Sequence, residues 1–252
     1  MPANRQPENP VVTPAMVLAS RPDLEVVGVF NPGVIRHNGE VILLLRVSEA
    51  PRKVSSSIVA APIYNAAQRT IEIKHWHVDT KGLDVSDPRL IIADGRTWLT
   101  SMSHFRIARS NDGIHFEVEG LPNMTAGTEY ESYGIEDPRI TLIDGTYWIN
   151  YTAVSEHGIS TALASTRDFR TFQRHGIMFP PPNRDVTIFP EKIRGKYAAL
   201  HRPMPESLGQ VAIWSASSSD MFSWGDHRIV AAARPRMWDD EKVGGGAVPF
   251  RV

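Results

Sequence analysis

The sequence predicts an all-β fold, a five-bladed β-propeller, on three observations. A proline-led phrase recurs at intervals near fifty residues, apolar residues come in short β-type runs, and helical periodicity is almost absent. The phrase opens at Pro32 (Asn31-Pro32-Gly33-Val34-Ile35), Pro88 (Asp87-Pro88-Arg89-Leu90-Ile91), Pro138 (Asp137-Pro138-Arg139-Ile140-Thr141) and Pro190 (Phe189-Pro190-Glu191-Lys192-Ile193). Each copy reaches a turn glycine, at Gly39, Gly95, Gly145 and Gly195, and then an apolar run such as Val41-Ile42-Leu43-Leu44-Leu45 or Tyr147-Trp148-Ile149-Asn150. The prolines lie 56, 50 and 52 residues apart, and a fifth, Pro249, follows 59 residues later and three from the end. This spacing predicts four blades and the start of a fifth, the last blade being incomplete in this chain. A repeat array of this length reads as one domain over residues 1–252.

The outer half of each blade has its own signature. Phe105-Arg106-Ile107-Ala108-Arg109-Ser110-Asn111-Asp112 is echoed by Thr161-Ala162-Leu163-Ala164-Ser165-Thr166-Arg167-Asp168 and by Val211-Ala212-Ile213-Trp214-Ser215-Ala216-Ser217-Ser218-Ser219-Asp220. The pattern is a strand, a hydroxyl-rich turn with Asp, then an aromatic that opens the next strand. Asp112, Asp168 and Asp220 are expected to cap these turns by accepting backbone N–H groups just ahead of them. Each blade would then hold four strands, the proline-led phrase supplying the inner pair. Nineteen prolines in 252 residues argue further against long helices. Trp76, Trp98, Trp148, Trp214 and Trp224 fall in strand patterns and are expected in the core, while Trp238 sits where either core or surface is open to it. His75-x-His77 is the single metal-like histidine spacing, placed on a strand beside Trp76; the expectation is that no metal binds there.

Composition narrows the function. At 42% hydrophobic and 22% charged, with a net charge of −1, the chain offers no electrostatic footprint for nucleic acid or an anionic membrane. It has no cysteine, hence no disulfide framework, thiolate metal site or thiol nucleophile. No apolar run is long enough for a transmembrane helix, and Met1-Pro2-Ala3-Asn4-Arg5-Gln6-Pro7-Glu8-Asn9-Pro10 lacks a signal-peptide core, so a cytoplasmic location is expected.

In a propeller the inner strands line a central axis, and their entry residues converge at one mouth. Beside the repeated prolines stand Asn31, Asp87, Glu136 with Asp137, and Glu191. The strands that follow carry Arg46, Ser48, Glu49, His104, Tyr151, Asp185, His201 and Arg202. A ring of carboxylates, amides and arginines suits a polyhydroxylated ligand, although Asp or Asn before Pro also simply starts a turn.

These motifs resemble glycoside hydrolase family 130, the mannoside phosphorylases and related mannosidases. The resemblance is carried by Phe30-Asn31-Pro32-Gly33, Arg46-Val47-Ser48, Asp87-Pro88-Arg89, Gly134-Ile135-Glu136-Asp137-Pro138-Arg139, Tyr151-Thr152-Ala153, Asp185 through Phe189-Pro190-Glu191-Lys192, and Leu200-His201-Arg202-Pro203. It implies a five-bladed propeller and inverting cleavage of a β-mannosidic bond, with Asp137 as proton donor acting through a sugar hydroxyl. By the same resemblance Asn31, Arg46, Ser48, Asp87, Arg89, Glu136, Arg139, Tyr151, Asp185, Glu191, His201 and Arg202 bind substrate. The adjacent Glu136 favours a protonated Asp137 if the two share a face, although neighbours on a strand point to opposite faces.

The attacking group decides the reaction. A phosphorylase uses inorganic phosphate as co-substrate and needs fixed cations but no second base or cofactor; Arg184, His201 and Arg202 are the expected phosphate-binding set. The family often carries Lys where Arg184 stands. A hydrolase needs a carboxylate across the ring to activate water, and Glu191 is the candidate. Phosphorolysis is favoured. The rivals are a furanosidase using Asp87, Asp137 and Glu191, a sialidase, and a non-catalytic sugar-binding propeller. A small carbohydrate is the expected partner, and the family resemblance allows a homo-oligomer.

Overall fold

A computed structural model describes residues 6–205 and 207–251. The reading of the N-terminus as leader-free rests partly on residues 1–5, which lie outside the described residues. Among the described residues, sixteen strands and two single-turn 3-10 helices, Pro14–Met16 and Glu129–Glu131, make up the regular structure, which is all-β. No helix among the described residues is long and apolar enough to cross a membrane. The backbone groups into two compact units, residues 1–136 and 137–252.

In the first unit β1 (Leu24–His37), β2 (Glu40–Pro51), β7 (Met102–Ser110) and the short β8 (Glu117–Val118) form one antiparallel sheet in that order. Between β2 and β7 the chain makes two separate hairpins, β3–β4 (Ile58–Asn65, Thr70–His77) and β5–β6 (Leu90–Ala93, Arg96–Leu99). Ala61, Ile91 and Ala93 join these hairpins in a small cluster with Trp76 and Trp98. The pairing of β2 with β7 corrects the four-strand expectation for the second proline-led phrase, whose hairpin β5–β6 stands apart from β7. Strand length supplies the reason. β2 and β7 match over nine consecutive residues, Val41↔Ser110 to Glu49↔Met102, and bury Ile42, Leu44, Leu45, Phe105 and Ile107. The four-residue strands of β5–β6 offer much less apolar ladder than that.

The second unit follows the expected plan twice. β9 (Gly134–Ile143), which begins at the end of the first unit, pairs in order with β10 (Thr146–Ser155), β11 (Gly158–Thr166) and β12 (Gln173–Phe179). β13 (Asn183–Ile188), β14 (Tyr197–Pro203), β15 (Ala212–Ser218) and β16 (Gly225–Ala232) form the second meander. Ile143, Leu163, Met178, Phe179, Val186, Ile188, Ala199, Ala216 and Met221 build the core, with Trp148 and Trp224 packed on it.

The turn chemistry is repeated almost atom for atom. The four phrase turns place Asn38-Gly39, Asp94-Gly95, Asp144-Gly145 and Arg194-Gly195 at positive φ, 50 and 91°, 54 and 72°, 49 and 73°, and 54 and 80°. Two successive left-handed residues define the type I′ turn that matches strand twist, and glycine takes the second place without a Cβ penalty. The Asp turns are equally regular. Asp112 Oδ1 accepts from Ile114 N and His115 N at 2.8 and 2.9 Å, Asp168 Oδ1 from Arg170 N and Thr171 N at 2.8 and 2.9 Å, and Asp220 Oδ1 from Phe222 N and Ser223 N at 2.8 and 2.7 Å. Those backbone donors hold the Asp168 and Asp220 carboxyls at a pKa of about 2. For Asp112 the His115 side chain leads the same downward shift. Trp238, left open by the sequence, is 87% exposed, with the Arg234 guanidinium 6.0 Å from its ring.

Candidate active site

Several of the sequence-predicted residues share local features within their own units. In the first, β2 delivers Arg46 and Ser48 to one face. Arg46 donates through Nη2 to Glu136 Oε1 at 2.7 Å and through Nε to Ser103 Oγ at 3.0 Å, and its guanidinium carbon lies 5.3 Å from the Phe30 ring centroid. Ser48 donates to Ser101 Oγ at 3.0 Å. Asn31, immediately before Pro32, has φ of 30°. A residue before proline is normally pushed into the extended region, so this backbone is held against its preference.

Glu49 and His104 do not join that face. Strand alternation turns Glu49 away from its neighbour Ser48. Glu49 is buried, accepts from the Ser20 backbone N at 2.6 Å and from the Ser20 hydroxyl, and lies 3.8 Å from His104 Nδ1. The fully buried Arg106 donates to His104 Nε2 at 3.3 Å and to Leu18 O at 2.6 Å. Burial, with the nearby Arg106 charge second, pushes the His104 pKa down to about 3. This network ties the segment before β1 to the sheet.

Asp87 and Arg89 sit at the entry of β5 as a local clamp. Arg89 donates through its backbone N and Nε to Asp87 Oδ1 at 2.9 and 3.0 Å, and through Nη2 to Oδ2 at 2.7 Å. The Arg89 side chain, with its backbone N–H second, lowers the Asp87 pKa to about 2. Both residues line a cavity of about 580 Å³, with Arg52, Lys53, His75 and Ser101 on its wall.

In the second unit Asp137 stands just before Pro138 with φ of 50°, repeating the Asn31 geometry two phrases later, and is half-buried. Asp185 on β13 is also left-handed, at 55°. Arg202 on β14 donates through Nε and Nη2 to Asp185 Oδ2 at 2.8 and 2.5 Å. Arg139 donates through Nε to the carbonyl of Gly246 at 2.8 Å. Tyr151 is buried on β10, and Arg184, beside Asp185, is half-buried.

His201 and Arg202, adjacent on β14, diverge. The His201 ring stacks on Phe179 at 4.4 Å with an interplanar angle of 4°. Asn183 Nδ2 donates to its Nδ1 at 2.9 Å, which leaves Nε2–H to donate to His227 Nδ1 at 3.0 Å. Burial, then the neighbouring His227, pushes the His201 pKa down to about 4, so the ring is neutral at pH 7 and both nitrogens are engaged. Glu191 is exposed and accepts from Arg251 Nη2 at 2.6 Å. His75 and His77 lie exposed on β4, and no group of three metal-capable side chains occurs among the described residues.

Sequence reasoning missed Ser101, Ser103, Asn183, His227, Arg251 and the glycines at 244–246 as neighbours of these residues. None carries a charge pattern or spacing of its own. Only the repeat phase, which puts Ser101 and Ser103 at the start of a strand facing Arg46 and Ser48, carried a signal for any of them.

Comparison with known proteins gives a consistent result. The profile of a family described as β-1,4-mannooligosaccharide phosphorylase, glycoside hydrolase family 130, matches residues 96–252. The β-1,2-mannobiose phosphorylase of Listeria innocua serovar 6a is 47% identical over 252 residues, 98% of this chain and 71% of that protein. The solved structure of a β-1,2-mannobiose phosphorylase from Listeria innocua in complex with β-1,2-mannobiose superposes with a TM-score of 0.93, again over 98% of this chain and 71% of the other. A 1,2-β-oligomannan phosphorylase of Thermoanaerobacter is 37% identical over 154 residues, 60% of this chain and 50% of its own length. The profile match over more than half the chain, and the Listeria likeness over nearly all of it, establish that this chain belongs to glycoside hydrolase family 130.

Proposed function

We propose that the chain is an inverting β-mannoside phosphorylase acting on β-1,2-mannobiose or a short β-1,2-mannan. The observation that carries this reading is the likeness to the Listeria enzyme over 98% of the chain. Phosphate oxygen attacks the anomeric carbon from the face opposite the leaving sugar, and the C1–O bond breaks. The departing oxygen takes its proton from Asp137 through a sugar hydroxyl, yielding α-mannose 1-phosphate and a free acceptor sugar. The left-handed backbone at Asp137 supports the role because it stands immediately before Pro138, where proline disfavours it, and strain of that kind clusters at functional sites.

Arg202 and Arg184 are the cations assigned to phosphate, a guanidinium fork matching phosphate geometry. His201 belongs beside them as a neutral support rather than a charge. Asn31, Arg46, Ser48, Asp87, Arg89, Glu136, Arg139, Tyr151 and Asp185 are assigned to the sugars. The hydrolytic alternative is the weaker one, because Glu191 is exposed and paired with Arg251, a poor setting for a water-activating base. A five-bladed propeller acting as one catalytic domain, and a homo-oligomeric state, complete the proposal. Its architectural support is the four-stranded antiparallel sheet, which occurs once in the first unit and twice in the second.

The test is to incubate the protein with β-1,2-mannobiose with and without inorganic phosphate and to assay mannose 1-phosphate against free mannose. Phosphate-dependent mannose 1-phosphate is expected. Free mannose at the same rate without phosphate overturns phosphorolysis, and no product from any mannoside overturns the activity altogether.

A further inference from the structure

Gly244-Gly245-Gly246 lies across the Asp185–Arg202 pair. A Cβ built on Gly244 would stand 2.6 Å from Asp185 Oδ2 and 3.3 Å from Arg202 Nε. One built on Gly245 would stand 2.6 Å from the Asp185 carbonyl oxygen and 3.4 Å from Thr187 Cγ2. The carbonyl of Gly246 takes the Arg139 Nε donor at 2.8 Å. None of the three has a left-handed φ, so backbone conformation does not require glycine here. Close approach does, because only a residue without a side chain brings main chain this near to a carboxylate. A Cβ on the neighbouring Gly246 meets nothing within 4 Å, so the demand is confined to the two glycines over Asp185.

We propose that Gly244 and Gly245 are positioning residues that seat the Asp185–Arg202 pair for the phosphate co-substrate. This rests on the assignment of phosphate to Arg202. Both Arg202 donors go to one oxygen, Oδ2, and it is against that oxygen that Gly244 packs. The glycine backbone therefore blocks the side on which Asp185 could swing, which fixes the guanidinium plane. Arg139 anchors the same segment from its far end. A side chain at 244 displaces Asp185, tilts Arg202 and weakens the anion site without touching the sugar contacts of Asp137 or Tyr151.

The test is calorimetric titration of the whole chain with inorganic phosphate and, separately, with β-1,2-mannobiose. Four forms are compared: the unsubstituted chain, Gly244→Ala, Arg202→Lys, and Gly225→Ala, whose Cβ meets nothing within 4 Å. Gly244→Ala is expected to weaken phosphate binding at least tenfold while mannobiose affinity, which loses only the Asp185 contact among its nine assigned side chains, falls no more than about threefold, and Gly225→Ala to leave both within twofold. Gly244→Ala with phosphate affinity within twofold, or with both ligands weakened equally, overturns the positioning role. Phosphate binding that is absent, or indifferent to Arg202→Lys, instead overturns the placement of phosphate on Arg202 and takes the inference with it. Hydrogen exchange on the unsubstituted chain keeps the proposal testable if Gly244→Ala fails to fold. Phosphate should slow exchange of the 244–246 amides, and no change there refutes the seat.

Discussion

At the scale of single residues, the proposed chemistry rests on Asp137. Asp137→Asn removes the proposed proton donor while keeping the shape, and kcat should fall roughly 10²- to 10⁴-fold, the span usual for a general acid, with the far-ultraviolet spectrum unchanged. Retained turnover would dismiss the residue from catalysis. His201 carries a different consequence. Its folded pKa of about 4 lies below the ordinary 6.5. Between those values the unfolded chain binds a proton that the folded chain refuses. Stability from this group is therefore full above pH 6.5 and declines as pH falls towards 4, by about 3 kcal/mol at most. The urea midpoint should drop between pH 7 and 4.5, and more shallowly in His201→Gln. The depressed carboxyls of Asp168 and Asp220 act in a separate window, their contribution lost only as pH falls from 3.8 towards about 2. Sequence alone put His201 and Arg202 together as a basic pair. Strand alternation and the Phe179 stack separated them, a distinction that needs the neighbouring strands to be seen.

The hairpin is the element that repeats, and its two turns are of different kinds. Type I′ turns with positive-φ glycine close the phrase hairpins, while hydroxyl-Asp turns close the outer pairs. Each Asp turn satisfies two backbone donors with one carboxylate oxygen. Asp168→Ala leaves those donors to solvent and should lower Tm by about 2–4 °C for a chain of this size, with activity little changed. A melting temperature unaltered by the substitution would make the turn dispensable. These turns were legible because Gly, Asp and Ser preferences act over a few residues. The pairing of β2 with β7 was not, since it depends on competition between ladders some sixty residues apart.

At the scale of the whole molecule, the proposed activity carries a claim about linkage. On the proposed β-1,2 reading, the chain should turn over β-1,2-mannobiose with higher kcat/KM than β-1,4-mannobiose. Equal or reversed preference in a side-by-side phosphorolysis assay would separate this chain from the Listeria relative. The acceptor side of such a preference would be read by loops, for which the 580 Å³ cavity around Asp87, Arg89, Arg52 and Lys53 is a candidate. Lys53 to Val54 form no regular element and match no motif, so sequence reasoning passed over them.

The sequence by itself determined the all-β class, the hairpin phrase with its turns, and the set of residues that carry the family likeness. Those properties follow from local preferences and from recurrence, both visible along one chain. Tertiary structure alone decided which strand β7 joins, that Glu49 and His104 form a buried tie instead of lining the Arg46 face, that His201 is neutral, and that Gly244 and Gly245 press on Asp185. Each of these depends on what lies across a sheet or on the far side of a strand, and burial and close approach there are set by residues distant in sequence.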